Sequence, residues 1–261
     1  RVYRHTLGTP SDTDVEVFKE EDDTFNTFVY KTKSDKYIVI GSVSTLTSEY
    51  RFLHADEPTK EFKIFQERIR GMEYGIAHYD DHFYILTNVD GATNFKLMKT
   101  PDNATAIEHW VDLIPHREDT LLEDVDIFKD YLVVSERNNG LNRINIKRWD
   151  GTEDYYLPFD NETYTAYVST NPEFDTDILR YSYNSLTTPN SVIDFDMKTK
   201  TKEVKKEQEV LGGDFDKDNY ISERVWATAE DGTKIPISLV YKKGLIKTGI
   251  NPPWQYGYGS Y

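Results

Sequence analysis

The densest group of chemically capable residues in this 261-residue chain is its last stretch, Tyr256-Gly257-Tyr258-Gly259-Ser260-Tyr261. A tyrosine hydroxyl is a neutral hydrogen-bond donor at neutral pH. Glycines between the aromatics let the backbone approach a partner closely and turn sharply. The same pattern also fits core-facing strand aromatics that do no chemistry. No serine sits in a Gly-x-Ser-x-Gly elbow, and Ser260 has Tyr258 rather than glycine two positions before it.

A second group, Asp214-Phe215-Asp216-Lys217-Asp218-Asn219-Tyr220-Ile221, spaces carboxylates at alternate positions as a calcium loop does. Asn219 stands where the turn glycine belongs and Val225 where the bidentate glutamate belongs, so a polar linker is expected and no metal. The six histidines, His5, His54, His78, His82, His109 and His116, lack ligand spacing. His78 and His82 are four apart but flank a turn, so surface or turn roles are expected for them. With no cysteine, disulfides, thiolate catalysis and cysteine zinc sites are excluded together.

The formal net charge is −15, from 31 basic and 46 acidic residues spread along the chain. Such a surface repels phosphate backbones and anionic membranes, which argues against nucleic-acid and membrane partners and for cationic ones. No apolar run approaches the ~20 residues of a membrane span.

The elements that would position these residues follow from one recurring unit. Lys36-Tyr37-Ile38-Val39-Ile40 returns as His82-Phe83-Tyr84-Ile85-Leu86, Asp130-Tyr131-Leu132-Val133-Val134 and Asp177-Ile178-Leu179-Arg180-Tyr181. From Tyr37 to Phe83, Tyr131 and Ile178 the steps are 46, 48 and 47 residues. A polar residue followed by a short aromatic and β-branched run marks a buried strand. A period of ~40–50 residues points to the blades of a β-propeller.

Strands are predicted at Val2–Leu7 and Val15–Phe18 as half a blade, followed by four whole blades whose joints carry hairpin chemistry, as in Asn138-Asn139-Gly140. After Gly212-Gly213 the pattern changes. Ser222–Ala229 and Ile235–Tyr241 flank Asp231-Gly232 as a hairpin, and a further strand is predicted at Trp254–Tyr258. A domain boundary therefore falls between a propeller segment, 1–212, and a junction, 213–261.

The terminal stretch resembles the start of the peptidase domain in the prolyl oligopeptidase family of serine peptidases, where a strand ends in Tyr-x-Tyr-Gly-Ser-Tyr-Gly. Ser222-Glu223-Arg224-Val225-Trp226-Ala227-Thr228-Ala229 with Pro236-Ile237-Ser238-Leu239-Val240-Tyr241 is similar to the opening hairpin of that domain in oligopeptidase B. Val2-Tyr3-Arg4-His5-Thr6-Leu7-Gly8-Thr9 and Thr47-Ser48-Glu49-Tyr50-Arg51 are similar to oligopeptidase B propeller segments. The resemblance implies an all-β fold: about four and a half of seven four-stranded blades, then the first strands of an α/β-hydrolase domain.

It also implies cleavage of short, basic peptides after Arg or Lys, without a cofactor, with the propeller gating access. Tyr258 matches the tyrosine whose hydroxyl helps bind the oxyanion, and Tyr261 the aromatic bordering the pocket for the residue before the cleaved bond. Pro253 and Gln255 replace residues that are usually apolar in the family, which predicts an irregular start to that strand. The family's nucleophile, Asp and His have no counterpart here, so this segment holds at most one oxyanion donor.

A stand-alone propeller that binds a partner and does no chemistry is the competing expectation. The chain starts at Arg1 without an initiator Met and stops at Tyr261, which suggests an internal piece of a longer cytoplasmic or periplasmic protein. Cutting a ring of blades exposes apolar faces, so self-association of the fragment is expected.

Overall fold

A computed structural model describes residues 1–257. Strands β1 (Val2–Arg4) and β2 (Val15–Phe18) form a two-stranded antiparallel sheet. Four four-stranded antiparallel meanders follow. Blade 1 is β3 (Asn26–Lys31), β4 (Tyr37–Val43), β5 (Ser48–His54) and β6 (Lys63–Gln66), and blade 2 is β7 (Tyr74–Tyr79), β8 (His82–Thr87), β9 (Lys96–Pro101) and β10 (Val111–Ile114). Blade 3 is β11 (Thr120–Ile127), β12 (Tyr131–Asn138), β13 (Leu141–Arg148) and β14 (Asp154–Tyr156), and blade 4 is β15 (Tyr164–Val168), β16 (Ile178–Ser185), β17 (Ser191–Asp196) and β18 (Thr201–Glu207). A separate hairpin, β19 (Tyr220–Thr228) and β20 (Lys234–Lys242), completes the regular structure.

The recurring sequence unit is the second strand of each blade. Side chains alternate between the faces of a strand, and here each face meets a different neighbour. On β12, Tyr131 and Val133 pack toward blade 4 with Leu179, Tyr181 and Phe195, while Leu132 and Val134 pack toward blade 2 with Tyr84 and Leu97. Between blades 1 and 2 the core is Tyr37, Phe52, Phe65, Tyr74, Phe83 and Trp110, among others. The hydrophobic cores thus lie between blades. Blade 4 has a described neighbour on one side alone: Leu179 and Tyr181 are buried, while Ile178 and Val204 are exposed.

β7 lies against β11, whereas among the described residues no comparable contact joins the fourth strands, so the first strands lie on the inner side of the array. The turns following the first strands, at 32–36, 80–81 and 128–130, and the loop 169–177, gather at one end. The β19–β20 hairpin docks at the opposite end. There Thr163 Oγ1 lies 2.6 Å from Ser222 Oγ, the Arg224 N–H donates to Glu162 Oε2 at 3.1 Å, and the Arg224 guanidinium donates to the Asn139 carbonyl. Asn139 and Gly140 both have positive φ, as a two-residue hairpin turn requires.

Two local expectations change. The fourth strand of blade 2, expected from its sequence over Ile107–Leu113, begins later: a single 3₁₀ turn, Ile107–His109, precedes β10 and lets the Trp110 indole donate to the Thr105 carbonyl at 2.8 Å. The described part of the strand predicted at Trp254–Tyr258 is not strand. Pro252 and Pro253 have no N–H for a ladder, and no partner strand lies beside them among the described residues.

Candidate functional site

Tyr258 and Tyr261, the two site residues expected from sequence, lie outside the described residues. The chain leading to them is open to solvent: Trp254 and Tyr256 stack on one another, ring centroids 6.0 Å apart, with most of their surface exposed. The hairpin that carries this segment sits at the axial end occupied by Asn139-Gly140 and by residues 159–163. This places the hairpin against that end of blades 3 and 4.

A cavity of about 460 Å³ lies between blade 4 and the hairpin, lined by Asn161, Tyr181, Tyr183, Glu207, Tyr220 and Ser222 among others. Its aromatic wall is pre-packed. Phe159 stacks on Tyr183 at 5.4 Å, and the Tyr183 hydroxyl donates to Asn161 Oδ1 at 2.8 Å. Burial, then the nearby Asp160 carboxylate, push the Tyr183 phenol up to about 12, so it stays a neutral donor at physiological pH. Lys202, which also lines the cavity, donates to the Pro158 carbonyl at 2.8 Å. The cavity can hold a polar group by hydrogen bonds, and it brings no nucleophile and base together.

The alternate-carboxylate loop serves the backbone. Asp216 Oδ1 accepts from the Asp218 N–H at 2.9 Å and caps the 3₁₀ turn Lys217–Asn219. Among the described residues, no group of three or more His, Asp or Glu side chains is arranged to hold a metal ion.

His78 is not a surface or turn histidine. It belongs to β7 and is 2% exposed, because the two-residue period of that strand turns Tyr74, Ile76 and His78 inward together. Its Nδ1 lies 2.8 Å from Ser34 Oγ of blade 1, and its Nε2 is 3.9 Å from Asp102 Oδ2. Serine, histidine and carboxylate in line suggest a hydrolytic relay, but the geometry does not support one. Asp102 Oδ2 is taken by Lys36 Nζ at 2.7 Å and by the Tyr37 hydroxyl at 2.9 Å. Burial, then the charge of Lys36, pull the His78 imidazole down to about 4, too weak a base for general-base work at neutral pH. The cluster joins blades 1 and 2.

The first strand of blade 3 adds negative charge near the axis. Asp124 is exposed, yet the protein around it displaces enough water to raise its carboxyl above the usual range, and neighbouring Asp126 adds to this. Asp126 is also raised by burial, against the pull of Lys33. Sequence reading missed the pairing of His78 with Ser34 and of Asp126 with Lys33, because each joins residues of different blades.

Blades packed face to face, with the β19–β20 hairpin docked at one end, define a β-propeller segment. Residues 1–208 match the N-terminal β-propeller domain of prolyl oligopeptidase, and the chain belongs to the prolyl oligopeptidase family of serine peptidases. It is 42% identical to dipeptidyl aminopeptidase BI of Pseudoxanthomonas mexicana and 34% identical to protease 2 of Moraxella lacunata. Both alignments span all of this chain and 36% and 37% of those relatives, so the chain covers about a third of their length. Among solved structures, oligopeptidase B from Leishmania major superposes with a TM-score of 0.83 at 32% identity, over 94% of this chain and 36% of that one. Oligopeptidase B from Trypanosoma brucei, in a closed form with covalently bound antipain, gives 0.84 at 33% identity, with the same coverage.

Proposed function

We propose that this chain is the propeller and junction part of a serine oligopeptidase of the oligopeptidase B type, which hydrolyses short peptides after Arg or Lys. The supporting observation is the hairpin held over one mouth of the blade array by Arg224, Ser222 and Thr163. A catalytic domain continuing from that hairpin would lie across the mouth, and the blades would then exclude folded proteins from a shielded site. The exposed Asp124 on β11 would favour cationic peptides over anionic ones.

In this reading Tyr258 supplies an oxyanion donor and Tyr261 borders the pocket for the residue before the cleaved bond. The nucleophile, its base and the selectivity residues come from sequence beyond this segment. The chemistry is acyl transfer by a serine and calls for no cofactor. The partners are short, basic peptides, in the cytoplasm or the periplasm. A second reading draws on the 42% identical relative named as a dipeptidyl aminopeptidase: removal of dipeptides from a free N-terminus.

The test uses the full-length protein that carries this chain. A fluorophosphonate probe should label one serine. Fluorogenic peptides with a blocked N-terminus and Arg or Lys before the reporter should be cleaved faster than the same peptides with Pro. Cleavage confined to unblocked dipeptide reporters would favour the dipeptidase reading. Absence of both labelling and cleavage would leave a binding propeller.

A further inference from the structure

The cavity of about 460 Å³ between blade 4 and the hairpin has two walls of opposite charge. Asp160, in the connection from β14 to β15, and Glu207, at the end of β18, belong to the blade wall. Lys217, in the 3₁₀ turn, and Lys243, which follows β20, belong to the hairpin wall. The Lys243 N–H donates to the Asn219 carbonyl at 2.8 Å, which holds the residues after β20 against the turn that carries Lys217. Lys202 also lines the blade wall and Asp218 the hairpin wall, so the first keeps one net negative charge and the second one net positive charge.

Charges near this cavity are taken. Lys205 is paired with Glu203, Arg180 with Asp194 and Lys247 with Glu223, and Lys202 donates to the Pro158 carbonyl. Among the described residues, Asp160, Glu207, Lys217 and Lys243 form no ion pair, with one another or with a neighbour. Ser191 Oγ lies 3.4 Å from Glu207 Oε2 but donates to the Pro189 carbonyl at 2.9 Å, so Glu207 is left without a short hydrogen bond. The rest of the blade wall is fixed by the Phe159–Tyr183 stack and by the Tyr183 hydroxyl bonded to Asn161. The volume falls within the range of about 300–1,000 Å³ usual for small-ligand sites.

We propose that this cavity binds a short peptide by its two free ends, the ammonium toward Asp160 and Glu207 and the carboxylate toward Lys217 and Lys243. A zwitterion satisfies both walls at once, whereas a cation or an anion alone is repelled by one of them. Two extended residues span about 7 Å, a length that bridges walls too far apart to pair directly. Both contacts are charge-assisted, and a partly enclosed setting screens them less than open surface does. A bound dipeptide thereby ties the hairpin to blade 4. The source of the ligand rests on the peptidase reading, since hydrolysis of short peptides releases fragments with both ends free.

Calorimetric titration of the full-length protein tests the site, after treatment with a fluorophosphonate so that a catalytic serine neither cleaves nor competes. The probes are Ala-Ala, N-acetyl-Ala-Ala and Ala-Ala-amide. Ala-Ala should bind with a Kd of about 1 mM or tighter, and removing either end charge should weaken binding by about tenfold. The double variant Asp160→Asn, Glu207→Gln should bind Ala-Ala about tenfold more weakly and no longer distinguish it from the acetylated form. Lys217→Gln with Lys243→Gln should in the same way no longer distinguish it from the amide. All four side chains are exposed, so these variants should keep the wild-type melting temperature. Absence of Ala-Ala binding would overturn the proposal, as would equal affinity for the three probes. So would end-group effects that persist unchanged in both double variants, since the peptide then sits elsewhere. Failure of the fluorophosphonate to label a serine would count against the peptidase reading alone, because the heat of binding needs no active serine.

Discussion

Ser34 Oγ and His78 Nδ1 are 2.8 Å apart and belong to different blades, so a single hydrogen bond with a buried imidazole helps join blade 1 to blade 2. The other ring nitrogen, Nε2, is buried without a hydrogen-bond partner. An imidazole in that position resists protonation, and its value of about 4 is set first by burial and then by Lys36.

This predicts an acid-sensitive blade interface. An unfolded histidine takes up its proton near its ordinary value of about 6.5, while the folded one resists until about 4. Between those values the unfolded chain binds more protons, so His78 lowers stability as pH falls through this window and adds no further loss below it. By pH 5 its share should be about 2 kcal/mol relative to neutral pH. Urea unfolding of wild type and His78→Leu at pH 7 and pH 5 measures it. The variant should lose less stability over that interval, and identical losses would refute the assignment.

Phe83 predicts where the stability of the array resides. It is fully buried, and its ring centroid lies 5.0–5.3 Å from those of Tyr37, Phe52, Phe65 and His78, which brings residues from both blades around one side chain. Phe83→Ala should cost about 3–5 kcal/mol through lost burial and the cavity left behind. Val204→Ala, on the exposed face of blade 4, should change stability by no more than about 0.5 kcal/mol. Chemical denaturation of the two variants checks the contrast, and similar costs would mean that the interblade cores are not the main support.

The blades were legible in the sequence because the second strand of each one is packed on both sides. Tyr131-Leu132-Val133-Val134 has to be apolar at every position, since alternate side chains enter different interfaces, and this produces the recurring run. The hairpin was legible for a local reason, Asp231-Gly232 between two apolar stretches, with Gly232 at positive φ. The Lys33–Asp126 pair was not legible, because its partners are 93 positions apart and meet only once blade curvature is set. His78 was misjudged for the same reason: nothing local to β7 announces Ser34. Tyr258 and Tyr261 came from resemblance to a family, and the described residues stop just before them.

The exposed faces predict association of the isolated segment. Tyr167, Ile178 and Val204 are exposed on blade 4, Tyr3 and Val15 on the two-stranded sheet, and Ile246, Ile250, Trp254 and Tyr256 along the junction. A net charge of −15 opposes this attraction, and salt screens repulsion between surface charges over about 10 Å at 0.1 M. The 261-residue chain should therefore be closest to monomeric in dilute buffer and should associate as salt and concentration rise. Light scattering at several salt concentrations follows this. A mass that stays monomeric at high protein concentration in 0.5 M salt would contradict it.

Tyr258 gives the last and most specific prediction. Its expected function needs only the phenolic hydroxyl, placed to donate to the oxygen on which negative charge develops during acyl transfer. Tyr258→Phe keeps the ring and removes the donor, so in the full-length protein it should lower kcat by about 10²–10³, the usual effect of deleting one such donor. KM should change little, because the bond strengthens as the substrate carbonyl becomes an oxyanion and contributes weakly before then. Labelling by a fluorophosphonate should slow as well, while thermal stability is retained. A core-packing tyrosine behaves differently: the variant would alter stability and leave kcat within a few-fold of wild type, and that outcome would remove Tyr258 from the catalytic site.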